Sequence, residues 1–517
     1  MPYRYDYKCG CKMVRTKVNI EGSESQSWKP LAYRIRKTVR YHLRGHCPVL
    51  ILKFPLKVII LNHFWESIFD HLSTSSFVPF QNLMSLVHQA DPKEIELFLN
   101  ELVRKGFLER EGFSILTNYP FISIIIPVRN RAEEITGCLQ SLSKLNYPSE
   151  ELEIIVVDDA SDDSTPDAVS KFPVSLIVLE EHKQASFCRN VAAKKAKGEI
   201  LAFIDSDCLA DPLWLKELVP AFGDKSLGAV GGMVDSCFNE SSLDRYEKVK
   251  SSLKIGTWFK SSQENTGFFY VPSCNLLVRR DIFLRLTGFK ENLDVGEDVD
   301  FCWRLQDEGY HVEYRPVGKV YHKHRNKLRP FCTRRFDYGT SEPLLQRVHT
   351  KRIKQFIFPP AASLFWGLVV LFTVLECIPL LGLCGIIVLI DSLKKFSKIR
   401  RKDIPIKFSC MILTVLRSYL AFFYHCCAFV SRYYLFWFIL ILPLVPLASM
   451  IILGMHLLAG IVEYFIKKPS MNPLSFLFYF SFEQISYQLG VWWGCLKEFI
   501  FTPVNPQIVG KSALNKK

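Results

Sequence analysis

Two long apolar runs near the carboxyl end of the chain constrain its fold more than any other feature. Residues 356–390 and 433–465 each contain a single charged residue, a glutamate. As one continuous helix, each run would be about 50 Å long, whereas the hydrocarbon core of a bilayer is roughly 30 Å thick. We therefore predict either strongly tilted helices or paired shorter helices, broken near Pro379 in the first run and near Pro443 and Pro446 in the second.

Basic residues flank these apolar runs and indicate the partner. The chain has 65 Lys and Arg against 51 Asp and Glu, a net charge of +14. The segment 319–354 contains 11 of the basic residues and only two acids, and a second basic cluster at 394–402 follows the first apolar run. Basic clusters beside apolar runs follow the positive-inside rule and favour a hairpin that returns to the cytoplasm. We predict a multi-pass protein of the cell membrane whose partner is a lipid bilayer, with no nucleic acid.

The first twenty residues and the cysteines indicate the compartment of the rest of the chain. These residues mix Arg, Lys and Tyr without an apolar core, so no secretory signal peptide is expected. The 16 cysteines are sparse and irregularly spaced, which argues against a disulfide scaffold. Cys9 and Cys11 come closest to a metal motif, but no second pair or histidine lies nearby. The part outside the membrane is expected in a reducing cytoplasm.

Three regions with different patterns follow one another along the chain. Residues 1–115 combine a strand pair with three helical stretches and predict a small α+β module of winged-helix type, or a packing domain without a ligand. Residues 116–350 alternate apolar strands with amphipathic helices, so we predict an α/β domain with a mostly parallel sheet. Residues 351–517 form the membrane region, in which the aromatic segment 474–499 is expected to lie at the interface.

Polar residues follow the predicted strands of the central region. These strands are 122–127, 153–157, 175–179, 200–204 and 228–234. Right-handed crossovers place their carboxyl ends at one edge, where open α/β sheets bind ligands. Two arginines follow the first strand, Asp158 and Asp159 follow the second, and Asp205 and Asp207 follow the fourth. The sequence therefore predicts a charged binding site at this edge.

Asp205 and Asp207 are the candidates for binding a cation. Neighbouring carboxylates repel one another unless a cation joins them, and hard divalent cations take oxygen ligands. Mg²⁺ or Mn²⁺ would complete its coordination with substrate phosphates, so a diphosphate suits this edge. The alternative is a capping turn in which Asp207 starts a helix. The chain contains neither a P-loop motif nor a Gly-x-Gly-x-x-Gly turn, which argues against those nucleotide-binding classes.

Four further residues are candidates for binding or catalysis, each with a structural alternative. Asp159 could accept a hydrogen bond from a base or ribose, or form an Asx turn. Arg189 could pair with phosphate, or lie on a solvated helix face. Asp298 is the candidate general base for a hydroxyl nucleophile, although helix capping also explains an acid at that position. His322 is a candidate metal ligand, or a structural histidine.

Six short motifs occur in a fixed order along the central region. They are Ile-Pro-Val-Arg-Asn-Arg at 126–131, Val-Asp-Asp-Ala-Ser at 157–161, Arg-Asn at 189–190, Ile-Asp-Ser-Asp at 204–207, Asn275 with Arg279 and Arg280, and Gly-Glu-Asp-Val-Asp at 296–300. Each motif is common alone. In this order they resemble glycosyltransferase family 2, a metal-dependent inverting family of GT-A type with a Rossmann-like sheet.

This resemblance implies a nucleotide-sugar donor and a role for each candidate residue. The donor would be held by Pro127, Arg129, Asp159, Arg189 and Asp205. Asp207 would hold the metal-bound diphosphate, and Asp298 would deprotonate the acceptor hydroxyl, so that a single displacement inverts the anomeric centre. The Gln-x-x-Arg-Trp motif of processive polysaccharide synthases is absent at 329–335, which argues against a cellulose-synthase-like polymerase.

The amino-terminal region resembles the peptide-binding chaperone domain of pyrroloquinoline-quinone synthesis, through residues 55–62 and the helical run that ends at 108–109. Such a module ahead of a family 2 transferase and membrane helices is similar to the glycosyltransferases of mycofactocin biosynthesis. This similarity implies peptide recognition by strand addition and transfer of a sugar, from a UDP-sugar, to a peptide-derived redox cofactor. The alternatives are a polyprenyl-phosphate or lipid-linked glycan acceptor, and a peptide-binding scaffold with a dead transferase domain.

Overall fold

The computed structural model describes residues 30–52, 56–73, 76–87, 90–112, 118–263, 268–352, 354–401 and 404–509. The first twenty residues, with Cys9 and Cys11, lie outside these ranges. The chain divides into two compact units, one formed by residues 1–50 and 59–116 and the other by residues 51–58 and 117–517.

The amino-terminal region combines two small sheets with three helices. Its elements are β1 (Ala32–Ile35), β2 (Val39–Arg44), β3 (Cys47–Leu52), β4 (Lys57–Ile60), α1 (Glu66–Leu72), β5 (Val78–Pro79), α2 (Phe80–Met84), α3 (Pro92–Arg104) and β6 (Leu108–Glu111). The sheets have the orders β5-β1-β6 and β2-β3-β4, so β3 and β4 form the predicted strand pair. Helix α3 buries Ile95, Leu99 and Leu102, as its helical spacing predicts.

The central region of the second unit is a helix-flanked sheet. Its elements are β7 (Ile122–Val128), α4 (Ala132–Leu142), β8 (Leu152–Asp158), α5 (Thr165–Val169), β9 (Ser175–Val178), α6 (Gln184–Lys195), β10 (Ile200–Ile204), β11 (Cys208–Ala210), α7 (Trp214–Leu218), β12 (Leu227–Gly231), β13 (Val234–Ser236), α8 (Ser242–Lys250), β14 (Lys260–Ser261), β15 (Asn275–Arg279), α9 (Arg280–Arg285), α10 (Glu297–Asp307), β16 (His311–Tyr314) and β17 (Val320–His322). Eight strands form one sheet in the order β14-β16-β12-β15-β10-β7-β8-β9. Strands β10, β7, β8 and β9 are parallel, as predicted.

The sequence signals for the central strands are their continuous apolar runs. Every residue of β7 and β10 is buried, because helices cover both faces of the sheet. Side chains from α6, α9 and α10, including Ala192, Phe283 and Phe301, pack against them in one core. The sequence analysis missed β15, which lies antiparallel between β10 and β12. Its five residues carry no signal for that place in the sheet.

The carboxyl-terminal region is helical. It contains α11 (Leu328–Val348), β18 (Gln355–Ile357), α12 (Pro360–Leu375), α13 (Pro379–Arg400), α14 (Phe408–Tyr433), α15 (Leu435–Leu440), α16 (Pro446–Lys467), α17 (Pro473–Glu498) and β19 (Gln507–Val509). The first apolar run breaks before Pro379 and the second before Pro446, as the paired-helix prediction requires. Helices α14 and α16 are long and apolar enough to cross a membrane. The sequence analysis missed α14, because Arg417, His425 and Arg432 interrupt its apolar pattern.

Helix α11 lies between the sheet region and α17. Gly339 of α11 approaches the backbone of α17 at Gly490 so closely that a Cβ atom on either glycine would overlap the other helix. On its other side, α11 packs Ser341 and Leu345 against Gly296, which precedes α10. Through this helix, the residues at the start of α10 are fixed relative to the carboxyl-terminal helices.

Candidate active site

The loops after β7 and β8 each contain a residue with left-handed backbone conformation. Asn130 has φ of 51° and Ala160 has φ of 53°. The backbone N–H of Asn130 donates to Ser161 Oγ at 2.9 Å, and Asn130 Oδ1 accepts from the backbone N–H of Asp162 at 3.0 Å. Asp158 accepts hydrogen bonds from the Ser161 backbone and hydroxyl. The two strand ends are therefore held together by these loop contacts, which the sequence analysis did not predict.

Asp159 anchors the start of α6. Its carboxylate accepts from the backbone N–H groups of Lys183 at 2.7 Å and Gln184 at 2.9 Å, and lies 2.7 Å from His182 Nδ1. These partners lie more than 20 residues along the chain, so the carboxylate does not form the local Asx turn considered as its alternative. Of the other predicted donor-binding residues at these strands, Pro127 is buried within β7 and Arg129 is exposed at its end.

Arg189 lies in the middle of α6 and is only 3% exposed, so the solvated-face alternative is wrong. Its guanidinium donates to Asp205 Oδ1 at 2.6 Å and to Glu297 Oε1 at 3.1 Å. Although burial opposes its charge, the carboxylates of Asp205 and Glu297 raise the pKa of Arg189. Arg189 therefore joins the acidic loop after β10 to the start of α10. The sequence analysis did not single out Glu297 as its partner.

Asp207 lies at a junction between the main sheet and a small sheet of order β11-β17-β13. A strand follows it, not a helix, so the capping-turn alternative is wrong. Its Oδ2 atom accepts from Arg131, and its Oδ1 atom lies 3.5 Å from His322 Nε2. Burial disfavours ionisation, but the charges of His322 and Arg131 outweigh it and lower the pKa of Asp207. The carboxylate is therefore ionised at neutral pH.

Asp207, Cys208 and His322 form a group whose ligand atoms all lie within 4.8 Å of one another. Such a separation fits side chains that share one metal ion. The Nδ1 atom of His322 is buried and has no hydrogen-bond partner among the residues that the structure describes. Burial raises the pKa of the Cys208 thiol, so the thiol is neutral in the metal-free protein. The sequence analysis named Asp205, Asp207 and His322 as candidates for binding a cation and did not consider Cys208. Asp205 is not part of this group and instead pairs with Arg189.

Asp298 occupies the first turn of α10, after Gly296, whose φ of 87° lets the chain turn into the helix. Its carboxylate accepts from the backbone N–H groups of Ser273 at 3.2 Å and Val299 at 2.8 Å. Burial, followed by the negative charge of Glu297, raises the pKa of Asp298 to about 7. A carboxylate with this pKa can take a proton near neutral pH. The next acid, Asp300, instead forms a buried ion pair with Arg304 and a hydrogen bond with His349.

Comparisons with known proteins show what this chain is similar to. Residues 123–287 match the family model described as glycosyl transferase family 2. The pre-mycofactocin glycosyltransferase of Mycobacterium tuberculosis is 25% identical over 405 residues, which cover 75% of this chain and 82% of that protein. Glycosyltransferase AglE of Haloferax volcanii is 30% identical over 221 residues, which cover 40% of this chain and 70% of AglE. A mannosyltransferase of Pyrobaculum calidifontis, solved with GDP-Man and Mn²⁺, is 18% identical with a TM-score of 0.38, covering 63% of this chain and 94% of its own.

Proposed function

This chain is a nucleotide-sugar glycosyltransferase of family 2, and from that premise we propose that it transfers a sugar, from a UDP-sugar, to a peptide-derived redox cofactor of the mycofactocin type. The similarity to the pre-mycofactocin glycosyltransferase over three quarters of the chain supports this acceptor. The two carboxyl-terminal helices that could cross a membrane favour one other acceptor, a polyprenyl phosphate or lipid-linked glycan.

The observation that carries the catalytic proposal is the state of Asp298. A half-buried carboxylate with a pKa of about 7 stands at the start of α10, and the neighbouring Glu297 is joined through Arg189 to Asp205. Asp298 would take the proton of the acceptor hydroxyl as its oxygen attacks the anomeric carbon from the face opposite the leaving diphosphate. One displacement of this kind inverts the anomeric configuration. Intact Asp205, Asp207 and Asp298 argue against the dead-scaffold alternative.

The group of Asp207 and His322 fits a divalent cation, because Asp207 Oδ1 and His322 Nε2 face one another at 3.5 Å. We propose that these residues hold Mg²⁺ or Mn²⁺, which when bound neutralises charge on the departing diphosphate. Pro127, Arg129, Asp159, Arg189 and Asp205 would form the donor site. Since Asp159 and Arg189 already bond protein groups, they would act mainly by shaping the loops around the donor.

The remaining regions receive roles that follow from this function. We keep the boundaries 1–115, 116–350 and 351–517 for a peptide-recognition module, the transferase domain and a multi-pass membrane region. The module would bind its peptide by strand addition, and the transferase domain would face the cytoplasm.

The proposal is tested with the purified full chain in detergent. A panel of nucleotide sugars is incubated with Mn²⁺, with and without a synthetic mycofactocin-type acceptor or a polyprenyl phosphate, and the released nucleoside diphosphate is measured. We expect release that depends on one donor and on the peptide-derived acceptor, and that a chelator abolishes. Release that requires the polyprenyl phosphate would move the acceptor assignment to the alternative, and no release with any pair would refute both.

A further inference from the structure

The predicted oxygen-lined cation site contains a sulfur atom. Two side chains of different chemistry, an imidazole and a thiol, approach one carboxylate oxygen, Oδ1 of Asp207. His322 Nε2 lies 3.5 Å from it and Cys208 Sγ lies 3.9 Å from it. The other carboxylate oxygen is bound by Arg131, which leaves Oδ1 to face the imidazole and the thiol.

The backbone holds these three groups in place. Strands β11 and β17 are antiparallel, and Cys208 stands directly opposite His322 in their register. On either side of this pair, the Cys208 N–H donates to Asp205 O at 3.0 Å and the Lys323 N–H donates to Asp207 O at 3.0 Å. Cys208 is fully buried, so its thiol has few other orientations. The arrangement is therefore preorganised and not a chance approach of mobile side chains.

The separations suit a small cation. Ligand atoms bound at about 2.0–2.3 Å around a tetrahedral ion lie about 3.5 Å apart, close to the distances from Oδ1 to Nε2 and Sγ. Mg²⁺ requires oxygen ligands in octahedral geometry, whereas imidazole and thiolate ligands suit Zn²⁺ and its neighbours in the transition series. A thiol among the ligands therefore changes the class of cation that fits.

We propose that Cys208 is a metal ligand together with Asp207 and His322, and that it shifts the preference of this site from Mg²⁺ toward thiophilic divalent cations such as Zn²⁺ and Co²⁺. The proposal rests on the proposed function, since the fourth position would be left for a diphosphate oxygen of the donor. When the cation binds, the thiol releases its proton to the buffer and a sulfur electron pair forms the bond to the metal. Nothing is oxidised.

Co²⁺ is the probe, because a thiolate bound to Co²⁺ gives a charge-transfer band in the near ultraviolet. The full chain in detergent is stripped with a chelator and titrated with Co²⁺. We expect this band to saturate at one equivalent in the unaltered protein and to vanish in Cys208→Ser, with Co²⁺ affinity falling at least about tenfold and Mg²⁺ affinity unchanged. Cys302→Ser is the matched control, because Cys302 is a buried thiol that donates to Val271 O, and it should keep the band.

Two further measurements separate the outcomes. If Cys208→Ser fails to fold, the unaltered protein still tests the proposal, since Zn²⁺ should raise its melting temperature and displace the Co²⁺ band at concentrations at which Mg²⁺ does neither. Absence of the band, or its persistence in Cys208→Ser, overturns the role of Cys208. If the band is absent but Mn²⁺ still supports turnover of the donor, the proposed function stands and the metal-ligand role of Cys208 does not. If no cation supports turnover, the proposed function fails, whatever the Co²⁺ titration shows.

Discussion

Two regions of this protein contain clusters of charged side chains, and they use them differently. The first is the strand-end site, formed by the acids after the strands of the main sheet and their arginine partners. Its ion pairs are partly open to solvent, with side-chain exposures of 38% for Arg131 and 30% for Asp205. Between α8, α11 and α17, Arg335 pairs with Glu247 and lies 3.7 Å from Glu483, and all three side chains are at most 10% exposed. Open pairs can exchange a protein partner for a ligand, whereas buried pairs hold elements together because breaking them leaves a charge unpaired.

The largest expected effect comes from removing the carboxylate that we propose as the base, Asp298. Asp298→Asn keeps the shape of the side chain and one of its two hydrogen bonds from the Ser273 and Val299 backbone, but it cannot take up the acceptor's proton at neutral pH. We expect kcat to fall about 10³-fold while the affinity for the donor is retained. Diphosphate release and donor titration measure the two quantities. Asp281→Asn, which alters an exposed acid, is the control, and unchanged turnover in Asp298→Asn would assign the base elsewhere.

The second-largest effect is expected in the stability of the protein and not in the rate of sugar transfer. Arg335→Ala leaves the buried Glu247 without its paired guanidinium and takes one neighbouring cation from Glu483, which costs about 3 kcal/mol of unfolding free energy. The melting temperature in detergent measures it. Arg347→Ala on the same helix is the control. The Arg347 side chain is 64% exposed, and such an exposed ion pair, here with Glu498, contributes about 1 kcal/mol or less. Equal losses in the two variants would contradict the distinction between open and buried pairs.

The sequence predicted more of the strand-end site than of the buried cluster around Arg335, for physical reasons. The strands β7, β8 and β10 are continuous apolar runs, and the acids after them stand where such a sheet binds ligands, so Asp205 and Asp207 could be named in advance. The partnership of Arg189 with Glu297 joins residues 108 positions apart and leaves no local pattern. Nothing in the sequence distinguishes Cys208 from any other buried cysteine, because only the pairing of β11 with β17 brings His322 opposite it. The pairing of Arg335 with Glu247 likewise depends on how helices meet.

The third effect tests the close packing of α11 on α17. Gly490→Ala places a methyl group against the backbone of Phe336, so the helices must separate and the protein should lose about 2 kcal/mol of stability. Gly454→Ala on α16 is the control, because no atom lies within 4 Å of its added Cβ and alanine favours a helix. Since α11 also packs against Gly296, we expect turnover to fall in Gly490→Ala as well. Normal turnover with lowered stability would separate α11 from positioning α10.

The smallest effect is a change in pH, which tests the strand-end site without a mutation. Asp298, the proposed base, can accept a proton only when ionised, and its raised pKa means that ionisation is lost as the pH falls through about 7. From pH 8 to pH 6, kcat/KM should therefore fall about tenfold. This acidic limb of the pH profile should be absent in Asp298→Asn.

Glu297→Gln identifies the titrating group, because Glu297 adds its negative charge to that of Asp298 and helps to raise its pKa. Without that charge, the acidic limb should move to lower pH. A limb that stays in place would mean that a group other than Asp298 controls the profile, and Asp298 would then not be the base.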